Sequence, residues 1–167
     1  MKKLFLLMLA FTFFQLANGQ MAKFQALYIL NFARNTSWPQ EDNDKVFIIT
    51  VVGDNSLASE MRNVVKNKMV GSRKIEVNEV ATASALPKSD IIFLGESKSG
   101  QIGQLVSAQS GNKVLIVSGT KGQCAQGAGI AFLPDNGKLN YEIHEGNIAK
   151  HGLKVAPKLY QLGKQVF

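Results

Sequence analysis

The apolar positions of this chain fall into short runs that alternate between two periods. Val46 to Val52 is apolar at every position except Thr50. A strand of that kind is buried on both faces, as in parallel sheets. Gly53-Asp54-Asn55-Ser56 follows as a turn and helix-cap cluster. Leu57, Met61, Val64 and Val65 then recur at helical spacing, giving one apolar stripe. Arg73 to Val77 alternates, with Ile75 and Val77 inward and Lys74 and Glu76 outward, which predicts a strand nearer the sheet edge. Ile91-Ile92-Phe93-Leu94 and Val114-Leu115-Ile116-Val117 predict two further buried strands. Between them, Ser97 or Ser99 caps a short predicted helix carrying Ile102, Leu105 and Val106. Strand and helix thus alternate, and the pattern predicts a parallel sheet covered by helices.

Both ends of the chain depart from this alternation. Met21 to Asn35 reads as a helix with Phe24, Leu27, Tyr28 and Asn31 on one face, broadened by Leu30, Phe32 and Ala33. Pro39 disfavours helical geometry at Trp38, so the helix ends before it. Gln40 to Asp44 is a polar, acidic loop. Near the other end, Gly129 to Leu133, the turn cluster Pro134-Asp135-Asn136-Gly137 and the alternating Leu139 to Ile143 predict an antiparallel hairpin. A broken helix closes the chain: Asn147 to His151, an interruption at Gly152, and a second segment opened by Pro157. The predicted fold is a single α/β domain, a mainly parallel twisted sheet flanked by helices, with a C-terminal hairpin and a broken C-terminal helix.

The first residues set the compartment. Met1-Lys2-Lys3 is basic, Leu4 to Phe14 is almost unbroken apolar sequence, and Ala17-Asn18-Gly19 has the small-x-small pattern of a signal-peptidase site. The run is too short to span a bilayer, so residues 1–19 read as a removable export signal and residues 20–167 as the mature domain. The expected location is the periplasm. Losing Lys2 and Lys3 lowers the formal charge from +7 to +5. A basic exported protein favours an acidic partner or peripheral contact with an anionic membrane surface. Nucleic acid is not an expected partner, given the compartment and the lack of a dense Lys/Arg cluster interleaved with aromatics. Cys124 is the single cysteine and cannot close an internal disulfide. It is either a small buried hydrophobe or a free thiol for an intermolecular bond.

Familiar catalytic patterns are incomplete. Gly95 and Gly100 have P-loop spacing after a strand, but Gln101-Ile102 stands where the Lys and the hydroxyl residue belong. Gly119, Gly122, Gly127 and Gly129 do not spell a dinucleotide fingerprint. His144 and His151 are seven residues apart, with only Glu142 or Glu145 as a third ligand, so no metal site is expected. Asp54 ends a buried strand, where α/β proteins place functional groups, and capping the next helix is its simpler role. The reading is a non-enzymatic binding or regulatory module without a cofactor.

Several segments in order resemble the YfiR-like family of exported bacterial proteins. They are Leu27 to Arg34 followed by Trp38-Pro39; Val52-Gly53-Asp54; Gly71 to Ile75; Gly127 to Phe132 with Lys138 to Ile143 and Asn147; and Gly152 to Val155 with Lys158-Leu159. The resemblance spans essentially the whole mature chain. It implies an often dimeric periplasmic regulator with an α/β fold that restrains an inner-membrane diguanylate cyclase by binding its periplasmic part, and so lowers cyclic di-GMP. Relatives of that kind carry paired cysteines; this chain has only Cys124, so redox control is not carried over.

The candidate partner- or ligand-binding residues are Arg34, Trp38, Glu142, Lys150, Lys154 and Lys158. Arg34 either complements the helix dipole or meets a partner. Trp38, the single Trp, is either a buried plug or an exposed anchor. Glu142, if covered by a C-terminal helix, needs a cation, for which Arg34 or Lys154 could serve. The three lysines recur every four residues and form either a solvated basic face or a dock for an acidic partner surface or an anionic ligand. The expected partner is an inner-membrane receptor, cyclase or sensor kinase. The alternative is a periplasmic small-ligand carrier or sensor, with a pocket at the C-terminal strand ends near Gly53-Asp54, Gly95 or Gly119.

Overall fold

The computed structural model describes residues 19–38, 45–84, 86–135 and 138–165. Residues 1–18 of the expected export signal 1–19, the loop expected over Gln40 to Asp44 and Asn136-Gly137 of the expected turn cluster lie outside the described residues. Helix α1 covers residues 19–34 and leads into β1 (Thr36–Ser37). Then come β2 (Val46–Val52), α2 (Asn55–Val65), β3 (Met69–Val70), β4 (Arg73–Val80) and β5 (Ile91–Leu94). A 3-10 turn runs into α3 (Ile102–Ala108), followed by β6 (Leu115–Ser118), β7 (Ile130–Asp135) and β8 (Lys138–Ile143). The chain closes with α4 (Glu145–Lys150), β9 (Lys154–Val155), α5 (Pro157–Leu162) and β10 (Lys164–Gln165).

Among the described residues, eight strands form one sheet in the order β10-β8-β7-β6-β5-β2-β4-β3. The strands from β4 through β2, β5 and β6 to β7 are all parallel. Their chain order across the sheet is 2-1-3-4-5, a doubly wound arrangement that reverses direction between β2 and β5. β8 runs antiparallel to β7, as the alternation of Leu139 to Ile143 predicts. β1 and β9 form a separate antiparallel ribbon that pairs Thr36 with Val155 and Ser37 with Lys154.

The inner parallel strands β2, β5 and β6 are buried on both faces because helices lie on both, whereas β4, nearer the edge, is only partly buried. Phe47, Ile49, Val51, Ile91 and Phe93 point into the core shared with α1 and α2. Val52, Ile92, Leu94 and Ile116 point into a smaller core with Ile102 and Leu105 of α3. Asp54 caps α2, its side chain accepting from the Leu57 amide at 2.9 Å. Pro157 opens α5, and Gly152, at φ +68°, ends α4 in the left-handed region that Gly adopts without steric cost.

Two sequence expectations are corrected. Neither Ser97 nor Ser99 caps α3: Gln101 stands at its N-cap without a side-chain bond, and the Ser97 hydroxyl donates to Gly53 O at 2.9 Å. The buried face of α1 is also different. Ala26, Ile29, Phe32 and Ala33 are fully buried, whereas Phe24 and Leu27 are 41% and 46% exposed. Small Ala residues bring the helix axis close to the sheet. Phe32 then reaches the Tyr141 ring at a centroid distance of 4.9 Å, and half-buried Tyr28 reaches it at 5.7 Å.

Candidate functional site

The exit from α1 explains why Arg34 and Trp38 sit where they do. The last carbonyls of a helix have no partner within it. Here the Asn35 side chain donates to Asn31 O (2.7 Å), the Thr36 hydroxyl to Phe32 O (2.8 Å) and the Trp38 indole N–H to Ala33 O (2.7 Å). The Trp38 ring stands edge-on to Phe47 at 4.9 Å. Trp38 is therefore a half-buried plug that also caps the helix. Arg34, one residue after Ala33, stays exposed.

The C-terminal segment docks onto this exit. Ser37 faces Lys154 in the ribbon, and the Ala156 amide donates to Asn35 O at 2.7 Å. This brings the strand carrying Lys154, and the start of the helix carrying Lys158, to the end of α1; both lysines are exposed. Lys150 is exposed on α4, with its Nζ 3.4 Å from Asn147 Oδ1. Phe24, Leu27, Asn31 and Arg34 follow helical spacing along the outward side of α1. That stripe leads from two exposed apolar side chains to the cations of the ribbon.

Glu142 does not belong to this surface. It is 6% exposed, and its Oε1 accepts from the Gly122 amide at 2.6 Å. The cation expected from Arg34 or Lys154 is not its partner; a backbone N–H satisfies it instead. Asn147 acts alongside it, donating from Nδ2 to Cys124 O (2.8 Å) and Ala128 O (2.9 Å). Together they staple the 122–128 segment, Glu142 onto the hairpin and Asn147 onto α4. Cys124 is buried beneath, where loss of solvent and the Glu142 charge push its thiol up to about 12.

The crevice where the sheet reverses holds a cavity of about 380 Å³, lined by Asp54, Ser56, Phe93, Glu96 and Gly119 and by Met21, Ala22 and Gln25 of α1. This is the end of the sheet where open α/β folds bind ligands. Here the first turns of α1 occupy part of it. A second cavity, of about 620 Å³, lies at the opposite end of the strands and is lined by four cationic side chains. Sequence reasoning missed it because its residues come from separate loops. Among the described residues no group of three or more metal-ligating side chains converges. No helix there is long and apolar enough to cross a membrane.

A family model described as YfiR/HmsC-like matches residues 22–164. No curated protein matches the chain.

Proposed function

Because this chain belongs to the YfiR/HmsC-like family, whose members are periplasmic and regulatory rather than catalytic, we propose that it controls an inner-membrane signalling protein by binding that protein's periplasmic part. The receptor is a diguanylate cyclase or a sensor kinase. The docking surface is the outward stripe of α1 together with the basic ribbon: Phe24 and Leu27, then Arg34, Lys154 and Lys158, with Lys150 beside them.

One observation carries this reading. Phe24 and Leu27 are large apolar side chains turned to solvent on a helix whose other side is fully buried. Apolar side chains next to cations are the composition of a protein-docking patch, with anchors at the centre and charges at the rim. The net charge of +5 left after export steers it toward an acidic partner. Control follows from population shift: the protein binds one state of the receptor better than the other, and the receptor's output moves by that difference. Twofold pairing of the protein would present two such surfaces to a dimeric receptor.

Photo-crosslinking from position 27 in living cells tests this. The expected result is a covalent adduct with an inner-membrane cyclase or kinase, lost when Arg34 and Lys154 are both changed to Glu. An adduct that survives the charge reversal, or labelling of soluble proteins alone, would count against the proposal.

A further inference from the structure

The cavity of about 620 Å³ lies at the N-terminal ends of β2, β4, β5 and β6, and Trp38 at the exit of α1 lines one part of it. Its origin is a shortage of cover. Among the described residues, the face of the sheet opposite α1 carries only α3 as an α-helix, and seven residues span about 10 Å. The floor beneath Val46 and Ile48 is left to the loops at 86–90 and 109–113.

The lining is chemically lopsided. Lys45, Arg73, Lys88 and Lys113 contribute four positive charges, and Asp90 is the one carboxylate among the described lining residues. Asp90 is already committed. Its Oδ2 accepts from the Ile48 amide at 2.8 Å, and its Oδ1 from Arg73 at 2.9 Å. Arg73 also lies over the Phe47 ring, 4.7 Å from the centroid. Lys45 and Lys113 are exposed and have no ion-pair partner among the described residues. Ile48, Leu86 and Trp38 also line the cavity and supply apolar surface beside these cations.

We infer that this cavity binds a small organic anion, a phosphate or carboxylate attached to a planar apolar body. The volume is that of a small-molecule site. Lys45 and Lys113 meet the anionic group, while the Arg73–Asp90 pair fixes the floor between them. Trp38 and Leu86 cover the apolar part. The cations converge on a concavity rather than following a stripe, which fits a compact anion and not a polymer backbone. This inference stands independently of receptor docking, because it uses other residues and the isolated protein tests it.

Trp38 is the only Trp, so its emission reports on this surface alone. The full chain, as exported, is titrated with phenyl phosphate, inorganic phosphate and benzyl alcohol, followed by calorimetry and by Trp emission. Phenyl phosphate is expected to bind saturably, to shift Trp38 emission, and to bind more tightly than either of the other probes. Changing Lys45 and Lys113 together to Met is expected to weaken it about 10-fold or more, at unchanged melting temperature. The Lys154→Met, Lys158→Met pair is expected to leave it unaltered. Raising salt weakens binding to the native protein, a readout that needs no variant. The inference is overturned by no saturable binding below about 10 mM, by indifference to the Lys45 and Lys113 changes, or by equal binding of inorganic phosphate or benzyl alcohol.

Discussion

Cys124 is held as a thiol by its surroundings, and that makes it both unreactive and sensitive to alkali. Burial first, and then the Glu142 charge, push its pKa from 9.0 up to about 12. Between those values the folded protein keeps a proton that the unfolded chain has lost. The stability this thiol contributes is therefore fully present below pH 9 and is lost as pH rises toward 12. Tyr141, pushed to about 12 by burial and by Tyr28, acts in the same direction from pH 10 upward. Urea midpoints measured from pH 8 to 11 are expected to decline, and Cys124→Ala to make the decline shallower. A thiol reagent at pH 7.5 should modify the native protein only as fast as the chain opens. Gly163 is a second residue with a sharp constraint. A methyl group there would strike the Tyr141 ring, whose hydroxyl donates to Leu159 O at 2.7 Å. Gly163→Ala is expected to cost about 1–3 kcal/mol in denaturant unfolding, as overpacking does. Tyr141→Phe removes only the hydrogen bond and should cost about 1 kcal/mol.

The exit of α1 can be tested at the level of the element. Trp38→Phe keeps an aromatic ring against Phe47 but leaves Ala33 O without its indole partner. The expected loss is about 1 kcal/mol, with faster amide exchange confined to the last turn of α1 and to the ribbon. Asp54→Ala should cost a similar amount, about 1 kcal/mol, with exchange rising in the first turn of α2 instead. How far each element could be read from sequence follows the range of its interactions. β2, β5 and β6 are legible because burial on both faces leaves continuous apolar runs such as Val46 to Val52. The hairpin is legible because β7 and β8 are adjacent in the chain. β1, β9 and β10 are not, since each is two residues long and is defined by a partner far away, as Ser37 is by Lys154. α1 was legible as a helix but not in its orientation. Apolar residues occur all round it, and periodicity alone cannot say that Ala26 faces the sheet while Leu27 does not. Glu142 and the cation-lined cavity share that difficulty: the Gly122 amide, and the loops bearing Lys45 and Lys113, come to their sites only through the tertiary fold.

Across the whole molecule, α1 does two jobs on opposite sides, and the two can be separated. Its inner side supplies Phe32 to an aromatic cluster with Phe132 and Tyr141, all fully buried. Removing that ring leaves a cavity at the junction of helix, parallel sheet and hairpin, so Phe32→Ala is expected to cost about 3–5 kcal/mol. A domain of this size has only about 5–15 kcal/mol of net stability. The variant should therefore melt far lower and lose regulation through low abundance. The outer side carries no such burden. Leu27 is nearly half exposed, and Leu27→Glu should change stability by no more than about 0.5 kcal/mol, as surface substitutions do. If α1 is the docking stripe, that same substitution puts a carboxylate among the anchors facing an acidic receptor, and repulsion there should abolish the control of output. Melting temperature and cellular cyclic di-GMP, or kinase output, measured on both variants in one strain, distinguish the two sides. Phe32→Ala should move both readouts, and Leu27→Glu only the second. A Leu27→Glu protein that regulates normally would place the receptor contact elsewhere on the molecule.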